Sequence, residues 1–377
     1  MPEPEITFRQ ALIILNGLPR IGPIALTRLL DRFGGDPLAV LTASRAELLN
    51  VQGIGANAAD SLQAWRDFPL DREERNLRER QGHFLIQEDE KYPPLLREIH
   101  DSPIGLHCLG KLPKTPCVAI VGTRQPTLYG TDMARKLAGD LTRAGFCVVS
   151  GMARGIDTAA HEGALDAGGE TVAVFGCGLD IIYPPENLDV FKRICLQGAV
   201  LSEFPFGRRA DRQTFPMRNR VISGMSEGVI VVESASAGGS MITARFAGEQ
   251  GRQVLAVPGR VDQASSAGCH DLIRDGAILV RSAVDVVEEL ASSIRFPGIA
   301  MNSSDEDPVE TEVSFTPRDL SIHESKIIKC FEGGSILQTE EIAELSGLSA
   351  TDLAATLTGL ELKNVLSRRP SGAFERR

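Results

Sequence analysis

The sequence predicts an α/β protein built on a doubly wound, mainly parallel sheet, with one helical unit before it and a second small unit after it. Three observations carry this. Short apolar runs rich in valine, isoleucine and alanine recur between residues 118 and 290, most of them ending at a loop that contains glycine. Helix-length segments, such as residues 131–143 and 240–251, separate them. The runs lack polar alternation, as strands covered on both faces by crossover helices should.

The elements follow in order. A chain of 377 residues exceeds the size at which one core usually stops growing, about 250–300 residues, so about two or three units are expected. Residues 1–75 are helical in pattern and hold two similar elements, Leu15-Asn-Gly-Leu-Pro-Arg-Ile-Gly-Pro-Ile-Ala-Leu26 and Leu49-Asn-Val-Gln-Gly-Ile-Gly-Ala-Asn-Ala-Ala59. Each sets a glycine turn before a new helix, the pattern of helix-hairpin-helix units. Such turns can offer backbone N–H groups to a phosphate, and they can equally serve packing alone. Residues 80–295 hold the sheet, with strands at Val118-Ala-Ile-Val, Cys147-Val-Val-Ser, Val172-Ala-Val-Phe, Ala199-Val-Leu-Ser, Val229-Ile-Val-Val and Val254-Leu-Ala-Val. Residues 296–317, with the acidic run Asp305-Glu-Asp-Pro-Val-Glu-Thr-Glu312, cannot bury a core and read as a flexible linker. Residues 318–377 return to helical periodicity: a first helix and turn at 338–349, a second helix at 351–363 and a terminal hairpin at 365–374, the order of a winged helix. The second helix carries Asp352 and Glu361 against Lys363, which weakens a major-groove reading.

Composition narrows the classes. The longest apolar runs, such as residues 117–121, fall far short of the ~18 residues needed to cross a bilayer, so no membrane partner is expected. The start, Met1-Pro-Glu-Pro-Glu, has no basic segment of a secretory leader. Seven cysteines without a C-x-x-C pair argue against a disulfide framework or a metal site and favour a reducing cytoplasm. The net charge of −10 argues superficially against nucleic acid, but charge of one sign can concentrate on one face. Residues 208–220 hold five arginines against Asp211, and the last fifteen residues hold Lys363, Arg368, Arg369, Arg376 and Arg377 against Glu375.

Ligands of open parallel sheets bind at the carboxyl ends of the strands. The strand-end loops therefore form one candidate surface: Gly122-Thr123-Arg124, the segment from Ser150 and Gly151 through Arg154, Gly176-Cys-Gly178, and Ala237-Gly-Gly239-Ser240. Glycines let backbone approach an anion, and Arg124 and Arg154 can grip phosphate bidentately. The segment Thr214-Phe-Pro-Met-Arg-Asn-Arg220 adds Arg218 and Arg220, which point in different directions on a helix. One can face a phosphate while the other pairs with an acid inside the fold. Phe215 stands where a base could stack on it, worth ~1–3 kcal/mol in a sequence-tolerant way. Asp157 and His161, four apart, read as structural, with Asp157 capping its helix. His270 reads as structural too.

These stretches resemble the DNA-processing protein A (Smf) family. The matching motifs are Val121-Gly-Thr-Arg124, Ser150-Gly-Met-Ala-Arg-Gly-Ile-Asp-Thr-Ala-Ala-His161, Gly178-Leu-Asp-Ile-Ile-Tyr-Pro184, Phe215-Pro-Met-Arg-Asn-Arg220, Gly239-Ser-Met-Ile-Thr-Ala244, Val257-Pro-Gly259 and Gly268-Cys-His-Asp-Leu-Ile-Arg-Asp-Gly-Ala277. They run through the central domain in order. The resemblance implies an extended Rossmann-like fold between a SAM-like helical head and a winged-helix tail. It further implies binding of single-stranded DNA, delivery of the strand to the RecA recombinase during natural transformation, and a homodimer, with no cofactor. The implied contacts fall on Arg124, on the Ser150-Gly151 loop and on Phe215 as the stacking ring, with Arg212 where relatives often carry lysine. Asn219 and Ser240 would shape the pocket. Two positions depart from the family pattern: Pro185 replaces a usual lysine, and Gly238 a usual serine. Nearby arginines are expected to compensate.

An enzyme on the same fold is the main alternative. A nucleotide-processing phosphoribohydrolase-like reaction needs a general acid or base, yet the comparable stretch Ala237-Gly-Gly-Ser-Met-Ile-Thr-Ala-Arg245 has Ala244 and Arg245 where that chemistry keeps glutamates. Neither a G-x-G-x-x-G fingerprint after the first strong strand nor a phosphate-binding P-loop is present. Binding without covalent catalysis is therefore expected. A pure protein adaptor would leave the arginine island unexplained.

Overall fold

Val118, Ala119, Ile120 and Val121 follow one another without a polar break, and the fold uses all four. Val118 and Ile120 pack into one layer with Leu137, Leu141 and Ala160. Ala119 and Val121 enter the opposite layer with Val221 and Ile222. Successive side chains of a strand point to opposite faces, so only a run apolar at every position can fill both.

In the computed structural model the described residues are 6–291, 321–331, 335–363, 365–369 and 372–376. The expected linker at 296–317 lies outside them, as does Arg377. The strands of the main sheet are β1 (His83–Ile86), β2 (Gly105–Gly110), β3 (Cys117–Gly122), β4 (Cys147–Ser150), β5 (Thr171–Phe175), β6 (Ala199–Ser202), β7 (Gly228–Val232), β8 (Gln253–Ala256) and β9 (Ile278–Leu279). They form one nine-stranded sheet in the order β1-β2-β6-β5-β4-β3-β7-β8-β9. From β6 to β9 all neighbours are parallel, whereas β1–β2 and β2–β6 are antiparallel. The α/β, doubly wound, mainly parallel architecture is as expected. The chain winds outward from β3 through β4, β5 and β6, then returns to lay β7 beside β3 on the other side. That reversal is a topological switch point, where the crevice between strand ends opens.

The helical head packs directly against the sheet domain. The chain divides into Met1–Ala300 and Met301–Arg377, so head and sheet fall within one compact unit. The reason is shared apolar surface. Ile14, Leu15, Leu48 and Leu62 of the head lie in one buried cluster with Phe175, Ile194 and Val200 of the sheet domain. Arg9 adds a polar tie, holding the Asp89 carboxylate at 2.7 Å.

The second unit holds helices Ile322–Cys330, Thr339–Ser346 and Ala350–Leu362. Its strands β10 (Ile336–Leu337), β11 (Leu366–Arg368) and β12 (Phe374–Arg376) pair in the order β10-β12-β11. Ile327, Phe331, Ile342, Leu357 and Leu360 form its core. Among the described residues no helix is long and apolar enough to cross a membrane.

Candidate functional site

The switch point opens a cleft of about 740 Å³ at the carboxyl ends of β3 and β7. One wall is the turn Gly122-Thr123-Arg124, the opposite wall the start of helix Gly239–Glu249, and helix Thr214–Gly224 runs between them. Glu233 fixes this frame. It follows β7 with φ of 46°, its carboxylate accepts from the Thr127 backbone N–H at 2.7 Å and from the Thr127 hydroxyl at 2.8 Å, and its carbonyl accepts from Thr123 N–H at 2.7 Å. The loop bearing Arg124 is thereby pinned to the adjacent strand end. Gly130 leaves the space, since a Cβ there would lie 2.0 Å from the Glu233 Oε2.

Helix Gly239–Glu249 starts after Gly238 with no side chain capping it. Its first N–H groups, which have no intrahelical acceptor, border the cleft together with the positive end of the helix dipole. The Ser240 hydroxyl donates to Ser234 Oγ at 2.8 Å, and the Asn219 amide reaches the Gly239 carbonyl at 3.5 Å. Gly238 has a local reason: a Cβ there would meet Ser234 Oγ at 2.4 Å. Ser234 also lines this wall, its hydroxyl donating to the Ala235 carbonyl at 3.0 Å.

Arg124 and Arg212 are exposed and line the cleft, and among the described residues neither has a carboxylate within salt-bridge distance. The Arg124 guanidinium sits 5.0 Å from the centre of the Phe215 ring, within cation–π range. Tyr183, 41% exposed, lies beside Phe215 with ring centres 6.3 Å apart and planes inclined at 47°. Phe215 is thus a half-buried aromatic flanked by the Arg124 guanidinium and a second accessible ring.

Arg218 forms the floor. It is buried, with Nη1 donating to the Val174 carbonyl at 3.3 Å and lying 3.9 Å from Asp157 Oδ2, while its Nε has no protein partner. Burial pushes the Arg218 guanidinium down and the Asp157 carboxyl up from their usual ranges, each opposed by the other's charge. Asp157 is not the helix cap expected of it. That position belongs to Gly155, and the Asp157 carboxylate instead accepts from Gly151 N–H at 3.1 Å and Ala153 N–H at 3.4 Å.

Several residues expected at the cleft are elsewhere. Ser150 is fully buried and its hydroxyl donates to the Ile120 carbonyl at 2.7 Å. With the Gly151 N–H taken by Asp157, this loop presents neither donor to a ligand. Gly151 makes room instead: a Cβ would fall 1.1 Å from Arg218 Nη1. Arg154 turns outward into an ion pair with Glu186, beside Pro185. Arg220 points away from the cleft, where Glu203 accepts at 2.5 and 2.6 Å and Asp101 lies at 3.3 Å. Its partners are the acids that a buried guanidinium requires. Thus Gly122, Thr123, Arg124, Arg212, Phe215, Arg218, Asn219, Gly239 and Ser240 come together around one space. Ser150, Gly151, Arg154 and Arg220 do not line it.

Glu233, Ser234 and Tyr183 are not singled out by sequence reasoning. Tyr183 lies inside a family motif beside Pro184, and its aromatic type is the available signal; Glu233 and Ser234 offer none, because their role depends on the register of β7 against β3. His161 is fully buried, its Nδ1 at 2.7 Å from the Thr171 hydroxyl, and burial brings its pKa to about 3. The imidazole is therefore neutral at physiological pH. His270 meets the Gly259 carbonyl at 3.0 Å.

Fold and cleft define a Rossmann-like protein with an arginine-lined cleft at its switch point. Residues 83–291 match the family model described as DNA recombination-mediator protein A, and the chain belongs to that family. Protein Smf of Synechocystis is 33% identical over 95% of this chain and 96% of its own length. The X-ray structure of DNA processing protein A from Streptococcus pneumoniae superposes with a TM-score of 0.65 at 34% identity, covering 76% of this chain and 98% of that one. The DNA processing protein A of Helicobacter pylori, whose structure describes a single-stranded DNA binding mode, matches with a TM-score of 0.51 at 32% identity, covering 56% of this chain and 97% of that one.

Proposed function

We propose that this protein binds single-stranded DNA in the switch-point cleft and passes it to the RecA recombinase during natural transformation, as a cytoplasmic homodimer, without covalent catalysis. The observation that carries the reading is Arg124, with no carboxylate in salt-bridge range among the described residues and stacked on Phe215, at the mouth of a cleft whose opposite wall is an uncapped helix start. Phosphates lodge between the N–H groups of Gly239 and Ser240 and the guanidinium groups of Arg124 and Arg212. Arg218, already desolvated and held by Asp157, supplies positive potential from below at no further ordering cost. A base stacks on Phe215, with Tyr183 as the second ring. None of these contacts reads a base edge, so binding tolerates any sequence and favours a strand whose bases are free to stack.

The Helicobacter relative described with single-stranded DNA supports the choice of ligand, and the family's description as recombination mediators supports the recombinase as recipient. Absence of catalysis is supported by the site's own groups. Asp157 is spent on backbone N–H groups, and Arg245 reaches Glu249 at 3.4 Å on the exposed side of its helix.

Competition separates the readings. A labelled dT oligonucleotide should be displaced by unlabelled single strands, and far less well by duplex or by thymidine monophosphate. Displacement by the mononucleotide at equal concentration, or its turnover to base and sugar phosphate, would replace this reading with the nucleotide-processing one.

A further inference from the structure

The connector between β6 and helix Thr214–Gly224 starts on the helical head and ends at the cleft. At its start, Phe206 N–H donates to Glu73 Oε2 at 3.3 Å and the Arg80 guanidinium lies 5.4 Å from the centre of the Phe206 ring. Gly207 N–H donates to Asp180 Oδ1 at 2.9 Å, and a Cβ on Gly207 would lie 3.8 Å from Arg72 Nη2. The Arg208 carbonyl accepts from Gly178 N–H at 2.8 Å. At its end, Asp211 Oδ1 accepts from the N–H groups of Gln213 and Thr214 at 2.8 and 3.0 Å. A loop bonded at both ends fixes the backbone from which its side chains project.

What it holds is positive. Asp211 neutralises Arg208 at 2.6 Å, but Arg209 and Arg212 are exposed and have no carboxylate in salt-bridge range among the described residues. Beyond Gly207 the line continues on helix Leu70–Glu79. Arg72, Arg75 and Arg78, three apart, share its solvent face, and none is paired among the described residues. Of the four acids on that helix, Glu73 is buried against His107 at 3.3 Å and Glu74 accepts from Gln10 at 2.8 Å. Only Asp71 and Glu79 share the outward face with the three arginines.

We infer that the head is a second phosphate site for the same strand: DNA leaving the cleft follows the connector past Arg212 and Arg209 and ends on Arg72 and Arg75. The inference rests on the cleft reading above. Its occupant is the sugar-phosphate backbone, because the track is a row of separated cations and the ring on it, Phe206, is buried.

Length dependence tests it. Labelled dT strands of about 6 and about 20 nucleotides bracket a site confined to the cleft and one that continues over the head. The double variant Arg72→Ala/Arg75→Ala, and separately Arg209→Ala, should weaken the longer strand about tenfold or more. Each should flatten its salt dependence by about 0.7 in log K against log salt for every phosphate that is no longer neutralised. Binding of the shorter strand should not change, and Arg72→Lys/Arg75→Lys should restore the longer one. All these residues are exposed, so the fold is not at stake. Unchanged binding of the longer strand, or equal weakening of both, overturns the head site. Arg124→Ala in the same series keeps the two claims apart. A strand that needs Arg124 but not Arg72, Arg75 or Arg209 removes the extension alone, whereas indifference to Arg124 removes the cleft reading itself.

Discussion

Arg218 and Arg220 sit two residues apart on one helix and end in opposite electrostatic situations. Arg220 meets Glu203 in two hydrogen bonds and Asp101 at 3.3 Å, so its charge is answered inside the fold. Among the described residues, Arg218 has a single carboxylate at 3.9 Å and an Nε with no protein partner, and it shares the cleft with Arg124 and Arg212, which have none in range. Both guanidinium groups are buried, so burial does not distinguish structure from function here. The supply of nearby acids does. Behind the helix, positive charge is balanced and holds β6 to the helix. In front of it, positive charge is left in excess where a polyanion can reach.

The comparison breaks most readily at Arg220. Removing it strands the Glu203 carboxylate, whose pKa burial already raises, so Arg220→Ala should cost ~3–5 kcal/mol in urea unfolding. The folded fraction should still bind DNA. A mild loss would mean that the rear cluster is not the brace described.

Acid should act on the core next. His161 has a folded pKa of about 3, below its ordinary value of 6.5, so the unfolded chain takes the proton first as pH falls. Its contribution is complete above about 6.5 and drains away toward pH 3 at ~1.4 kcal/mol per pH unit. His161→Asn should flatten the fall in unfolding free energy between those limits. An unchanged slope would mean that the imidazole is protonated in place.

Phe215→Ala should weaken single-strand binding by ~1–3 kcal/mol and leave the salt slope unaltered, because stacking releases no counterion. A reduced slope would show that the ring acts through the placement of Arg124. The smallest effect belongs to Arg154→Ala. It opens an exposed, solvent-screened pair with Glu186, and affinity at moderate salt should stay near that of the unaltered protein. A large loss would return Arg154 to the binding surface.

Sequence reasoning fails where distant partners decide. Strands β3 to β8 are legible because each is an uninterrupted apolar run that two helical layers cover. Strands β1 and β2 are not, since His83-Phe-Leu-Ile and Gly105-Leu-His-Cys-Leu-Gly are short and carry a histidine, and their pairing depends on β6. At the cleft, Arg124 and Phe215 can be recognised from residue type and neighbourhood. That one of Arg218 and Arg220 turns inward to an acid also follows from their spacing. Which of them, and to which acid, depends on Glu203 and Asp101, which only the folded chain brings beside Arg220. Ser150 and Gly151 mislead because glycine beside serine at a strand end looks like a phosphate loop. Here the hydroxyl reaches the adjacent strand and the glycine admits a guanidinium.

The most direct measurement is fluorescence anisotropy of a labelled dT oligonucleotide across a salt series, with the unaltered protein, Arg124→Ala and Arg220→Ala in parallel. The front-and-back account predicts tight, salt-sensitive binding that prefers single over double strands. Arg124→Ala should lose affinity and flatten the slope by about 0.7 for one phosphate no longer neutralised, while folded Arg220→Ala keeps both. Binding absent at low salt, or lost with Arg220 and retained without Arg124, would contradict it.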